Sequence, residues 1–176
     1  MSSSATRERI VATALGGRPV DGQGTQRPLL EAFLAAVGYF QGGTKLSPQL
    51  TAMIRYLVSS SARCRFCIDL NEGWLMQMGL DLDRLRAARD NPAQAPLPPN
   101  ELTLLKLALT AVKDQDLITA ELIDEAKAAG WDERAVFDAV VAAANNRALN
   151  TVLRSFKVET QRGFLFRTHF YVREIG

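Results

Sequence analysis

Cys64 and Cys67 stand three positions apart in the segment "SSSARCRFCIDLNEGWLMQMG", residues 59–79, and they are the only cysteines of the chain. Two cysteines at this spacing are no disulfide framework, so C-x-x-C reads as a redox-active or metal-binding pair. On a helix, residues i and i+3 share a face, and the two sulfurs can meet with little backbone movement. A helix opening here, with Ser60 or Ser61 as its cap, presents unpaired N–H groups and the positive end of its dipole to the first thiol. Arg63 and Arg65 flank that thiol and also favour thiolate. Placement alone therefore makes Cys64 the more acidic and more reactive cysteine, with Cys67 as its resolving partner. Structural zinc needs about four ligands, and besides these cysteines the chain has one histidine, His169. Covalent haem needs C-x-x-C-H, and Ile68 follows Cys67. No cofactor and no metal are expected. Simple packing of two free cysteines in a core is the plain alternative.

The elements that must position this pair read as helices. Leu29, Leu30, Phe33, Leu34 and Val37 share one helical face, and Leu50, Met53, Ile54, Leu57 and Val58 share another. Ser47 is placed to cap the second, with Pro48 at its first position, where a missing N–H costs nothing. Leu70, Trp74, Leu75 and Met78 give the cysteine helix its apolar face, which Gly79 ends. Asp81 caps a short helix over "LDRLRAARD". The proline-rich "NPAQAPLPPN" is a turn inside the domain. Three more helical segments follow, with Asn100, Thr119 and Asp132 as expected caps and Gly130 as a stop. Strand-like alternation is absent until the last fifteen residues, where the apolar "GFLFRTHFYVREIG" must be covered by its own core or by another subunit.

The expected fold class is all-α, six to eight helices in one compact domain over residues 1–176. A chain of 176 residues suits one domain better than two. Its 21 basic and 19 acidic residues leave a net charge of +2, which argues against nucleic acid as a partner. No apolar run approaches the roughly 20 residues that span a bilayer, and "IVATAL" is short for a signal-peptide core, so the expected location is the cytoplasm, with no membrane partner.

The cysteine segment resembles the carboxymuconolactone decarboxylase and alkylhydroperoxidase D-like superfamily. Its peroxidase members carry Glu, eleven residues, then C-x-x-C-x-x-x-H, and "LTAMIRYLVSSSARCRFCIDLNEGWLMQMGLD" lines up with that core without a gap. "AAGWDERAVFDAVVAAA" and "NNRALNTV", residues 145–152, extend the likeness, which covers about residues 28–155. The resemblance implies a compact helical bundle with the cysteine helix central. It also implies a dithiol peroxidase in which Cys67 is usually assigned the attack and Cys64 the disulfide partner. Placement and family analogy thus disagree on the attacking cysteine, and the assignment is open.

Two relay positions depart from the pattern. Ala52 stands where the family has Glu, and Asn71 where it has His. Neither side chain titrates near neutrality, and a general acid or base is worth about 10²–10⁴-fold in rate. A family-type peroxidase lacking both is expected to be weak. Tyr56, Ser59 and Glu72 are candidate supporting residues, as is Asp69, although one residue along a helix turns about 100° and directs Asp69 and Glu72 away from the Asn71 face. Asn146 and Arg147 match the family's late Asn-Arg element and are read first as structural, with Arg147 held as a possible ligand contact. His169 is read as an exposed or packing residue. The expected function is reduction of a hydroperoxide through a Cys64/Cys67 dithiol–disulfide cycle, with an unidentified thiol as reductant. The alternative is a non-catalytic redox-sensing or ligand-binding protein on the same fold. Lactone decarboxylation is the least supported branch. The family's helical assemblies imply a homo-oligomer, trimer or hexamer. Light scattering at micromolar concentration is expected to return a multiple of 19.3 kDa, and a monomer mass would contradict this.

Overall fold

The computed structural model describes residues 43–155. The proposed first helix at Leu29–Val37 and the apolar tail with His169 lie outside the described residues. Six α-helices and two short 3₁₀ turns make up the rest, with no strand among the described residues. The helices are α1 (Pro48–Ser61), α2 (Arg65–Gln77), α3 (Leu82–Asp90), α4 (Pro99–Lys113), α5 (Ala120–Ala128) and α6 (Glu133–Ser155).

Local chemistry sets most of the boundaries as expected. Ser47 Oγ accepts from the Leu50 N–H, with Pro48 in the first turn of α1. Asp81 caps α3, and Thr119 caps α5. Asp132 Oδ1 accepts from the Ala135 N–H at 2.9 Å and opens α6. Asn100 does not cap α4. The helix begins two residues earlier, with Pro98 as its N-cap and Pro99 inside, because proline fits the first turn without losing a hydrogen bond. The Asn100 carbonyl instead accepts from Trp131 Nε1 at 2.8 Å, tying α4 to the start of α6.

Three helices stop in the same way. At α2 the Gly79 N–H bonds to the Met76 carbonyl and the Leu80 N–H to Leu75. At α5 Gly130 and Trp131 do the same with Lys127 and Ala126. Both glycines have positive φ, 87° and 97°, the left-handed residue this stop requires. At α1 the pattern repeats, with Arg63 N–H to Ser60 and Cys64 N–H to Ser59, but the left-handed residue is Arg63, φ 54°. This stop turns the chain sharply enough that α2 starts only two residues later.

The core lies where α1, α4 and α6 meet. Leu50, Met53, Ile54 and Val58 of α1 are fully buried, as are Leu104 and Leu107 of α4. Ala135, Ala139, Ala142 and Ala143 of α6 face the same core. Small residues let α6 approach closely, which is how a long helix with few large apolar side chains is buried. The cysteines belong to a separate, smaller cluster with Phe66 and Leu153, bordered by Leu70 and Leu149. None of the described helices is long and apolar enough to cross a membrane.

A left-handed non-glycine residue costs roughly 1–2 kcal/mol. Replacing Arg63 by glycine relieves that strain while adding unfolded-state entropy. Arg63→Gly is expected to stabilise the fold by up to about 1 kcal/mol. A thermal melt of the variant, rising by a few degrees, checks this, and a lower midpoint would show that the arginine side chain contributes more than its backbone strain costs.

Candidate active site

Because α1 stops at Arg63, Cys64 becomes the N-cap residue of α2, and no side chain caps that helix. Ser60 and Ser61 are therefore not its caps. Ser61 belongs to the end of α1, where its hydroxyl donates to the Val58 carbonyl at 2.9 Å. Cys67 follows in the first turn of α2, and the two sulfurs lie 2.9 Å apart, both free thiols and both 2% exposed.

The residues around the sulfurs come from α1 and α6. The register of these helices is readable from their bonds. Asn146 Nδ2 donates to the Arg55 carbonyl at 3.0 Å and to Ser59 Oγ at 2.9 Å. Asn150 Nδ2 donates to Ser59 Oγ at 3.2 Å, and Arg154 Nη1 to the Ala62 carbonyl at 2.8 Å. Positions 146, 150 and 154, spaced four apart on one face of α6, thus climb alongside 55, 59 and 62 of α1. The two helices run parallel here.

Ser59 is fully buried. Its oxygen receives amide protons from both asparagines, which occupies its two lone pairs and leaves one O–H proton to give. The Ser59 hydroxyl and the Asn150 amide both favour the anionic form of Cys67, and Asn150 does the same for Cys64. The pair is therefore surrounded by donors, which favour sulfur as an anion.

The charge falls on one sulfur. Cys64 drops from its ordinary 9.0 to about 6, first because the Cys67 thiol donates to it; burial opposes, and the Cys67 backbone N–H, Asn150 and the Arg154 charge add to the fall. Cys67 moves upward, first because its proton is held by Cys64, then through burial and the adjacent negative charge. Cys64 is the resting thiolate, in line with its place at the positive end of α2.

The remaining expected residues divide. Ala52, at the family's glutamate position, is 4% exposed within the main core. Asn71, at the histidine position, is buried and donates Nδ2 to the Cys67 carbonyl at 2.7 Å, while its Oδ1 accepts no hydrogen bond among the described residues. It braces the backbone that carries Cys67. Glu72 was expected to face solvent with Asp69. Instead it accepts from the Tyr56 hydroxyl at 2.8 Å and pairs with Arg89 of α3, which also donates to the Tyr56 oxygen at 2.6 Å. Packing against α1 and α3 at once covers this side of α2 and leaves Glu72 only 15% exposed. The Arg89 guanidinium lies 5.0 Å over the Tyr56 ring. Burial, then the neighbouring Glu72, pushes the Tyr56 hydroxyl up to about 12. This trio clamps α2 one turn away from the cysteines. Asp69 is held by Arg65 at 3.0 Å. Arg147 is exposed, and its carbonyl accepts from Thr151. Sequence reasoning stopped at the adjacent pair Asn146–Arg147 and missed Asn150 and Arg154, although the four-residue spacing N-x-x-x-N-x-x-x-R was present as a signal. No cluster of three metal-ligating side chains occurs among the described residues.

Two buried free thiols in contact thus open a helix within an all-helical bundle. No family model matches the sequence, and no curated protein matches it. Solved structures do share the fold. An uncharacterised peroxidase-related protein from Silicibacter sp. TM1040 superposes with a TM-score of 0.73 at 17% identity, over 93% of this chain and 88% of that one. An alkylhydroperoxidase AhpD core, an uncharacterised peroxidase-related protein from Ralstonia eutropha JMP134, gives 0.71 at 16% identity, over 80% and 74%. A protein of unknown function from Agrobacterium tumefaciens, suggested to be an antioxidant defence protein AhpD, gives 0.66 at 17%, over 76% and 90%. The chain has the AhpD-like fold, as the cysteine motif implied.

Cys64 ionises more readily folded than unfolded, so it adds stability above pH 9.0, and that increment is lost as the pH falls through about 6. Thiolate absorbance of the reduced protein is expected to rise with a midpoint near pH 6 in wild type, and Cys64→Ser should abolish that step. Asn150→Ala removes a donor to both sulfurs and to Ser59. It is expected to raise the midpoint and to cost about 1–3 kcal/mol of stability in denaturant unfolding. An unmoved midpoint would mean that Asn150 does not act on the thiolate.

Proposed function

We propose that the protein is a thiol-dependent peroxidase in which Cys64 attacks a hydroperoxide and Cys67 resolves the product. The observation that carries this is the 2.9 Å pair of free sulfurs at the start of α2, set among donors from α1 and α6. The Cys64 thiolate attacks the terminal oxygen of ROOH, forming an S–O bond as O–O breaks. The leaving alkoxide takes a proton to become ROH, and Cys64 becomes a sulfenic acid. The Cys67 sulfur, giving up its proton, then displaces water from that sulfenic acid and closes the disulfide. Sulfur is oxidised by two electrons in all, and the hydroperoxide is reduced by two. Closing the bond needs the sulfurs to approach from 2.9 Å to about 2.05 Å. An external dithiol restores the pair by exchange.

Loss of the glutamate and histidine relay leaves general acid–base help to water or to Cys67. This supports a rate below that of a peroxidase carrying both, by about 10²-fold or more. The high-lying Tyr56 hydroxyl, committed to Glu72, is a poor substitute. The burial of both sulfurs favours a second reading, a redox-sensing dithiol without turnover.

Intact mass of the reduced protein after a stoichiometric pulse of an organic hydroperoxide separates the two. Loss of two hydrogens within seconds is expected in wild type, with sulfenic acid trapped on Cys64 in Cys67→Ser and no oxidation at the lone Cys67 of Cys64→Ser. Sulfenic acid on Cys67 instead would reverse the roles. No mass change over minutes would remove the peroxidase reading.

A further inference from the structure

The sulfurs sit in surroundings of two kinds. One is an apolar cluster, Phe66 and Leu153 buried against the cysteines, with Leu70 and Leu149 partly buried at its border. The other is positive charge. Arg63 and Arg65 are exposed on either side of Cys64, and Arg154 reaches the same turn from α6. Asp69 offsets Arg65 through an i,i+4 pair, so the rim keeps a surplus of cations.

Arg154 is the best placed of the three. Its Nη1 is fixed on the carbonyl of Ala62, two residues before Cys64, at 2.8 Å. That bond uses one of the five N–H donors of a planar guanidinium, whose fork suits a carboxylate. The anchoring bond orients the group in advance, so less freedom is lost when an acid binds. Its bond to Ala62 sets it beside the turn that carries Cys64. An apolar cluster beside an oriented guanidinium matches an amphipathic acid.

We propose that the substrate is an organic hydroperoxide bearing a carboxylate, with Arg154 as the specificity-determining cation and Arg63 and Arg65 supporting it at the rim. This rests on the peroxidase reading above. The apolar part of the molecule lies against Leu70 and Leu149, and the peroxide is delivered to Cys64. A neutral hydroperoxide keeps the apolar contacts and loses the ionic one.

The test compares a straight-chain hydroperoxide carrying a terminal carboxylate with its methyl ester, followed by loss of Cys64 thiolate in stopped flow. The acid is expected to react about tenfold faster at low salt, the worth of one partly exposed charge-assisted bond. The acid-to-ester ratio should fall toward one in Arg154→Gln and partly recover in Arg154→Lys. The ratio cancels the effect of Arg154 on thiolate formation, which slows both substrates alike. A ratio near one in wild type, or one unchanged in Arg154→Gln, overturns the proposal. Calorimetry with the matching alkanoic acid and alcohol on the Cys64→Ser, Cys67→Ser protein separates binding from chemistry. Arg154-dependent preference for the acid, beside wild-type thiols inert to both peroxides, keeps the carboxylate site and removes the peroxidase reading. Equal binding of acid and alcohol overturns the site whatever the thiols do.

Discussion

The hydroxyl of Ser59 is the point on which three helices and both sulfurs depend. Its oxygen takes one amide proton from Asn146 and another from Asn150, and the hydroxyl favours the anionic form of Cys67. A buried polar group left unpaired costs about 1–3 kcal/mol, so each member of this knot constrains the next. The distance between α1 and α6 is set by side chains short enough to meet across it. The alanine face of α6 makes that approach possible, and the asparagines make it specific. The sulfurs inherit their position from this agreement between helices.

A second constraint lies in the backbone between α1 and α2. The left-handed residue at Arg63 closes α1 with the same two bonds that glycine closes at α2 and α5. It costs strain that glycine avoids, and it leaves Cys64 as the N-cap of the next helix. Strain of this kind persists where surrounding bonds over-determine it, and here the Ser59 carbonyl receives the Cys64 N–H at 3.0 Å. One residue thus serves α1 through its carbonyl and α6 through its hydroxyl oxygen. The turn also keeps an arginine at the mouth of the site.

The two relay positions show how one fold carries different chemistry. Ala52 and Tyr56 lie on the same face of α1 as Ser59, at successive turns. Ala52 has joined the core, and Tyr56 has turned to Glu72 and Arg89. The polar groups that remain near α2 therefore hold helices together at one level and tune the sulfurs at the next. Asn71 keeps the histidine's place on the helix, but its donor is spent on the Cys67 carbonyl. The Cys64 thiolate is supported first by the Cys67 thiol, then by fixed donors and the Arg154 charge.

Much of this was legible in the chain itself. Helical periodicity, Ser47–Pro48, Asp81, Thr119, Asp132 and the two stop glycines are local signals, because a cap or a stop is decided by a few neighbouring residues. The cysteine spacing and its resemblance identified the fold, while helix placement and the resemblance disagreed on which cysteine attacks. The α4 start was misjudged by two residues, where two prolines outcompeted Asn100. Other features could be decided only in three dimensions. The Asn146, Asn150 and Arg154 ladder matters because α6 runs parallel to α1 at that register, more than 80 positions away in sequence. Glu72 became partly buried because α3 brings Arg89 to it. The sequence by itself determined which residues could ionise, cap or bend the chain, since those are properties of single side chains and short segments. Which sulfur holds the charge, and which donors hold it there, were decided by helix packing, since hydrogen bonds and Coulomb forces act over a few ångströms that only the folded chain brings about.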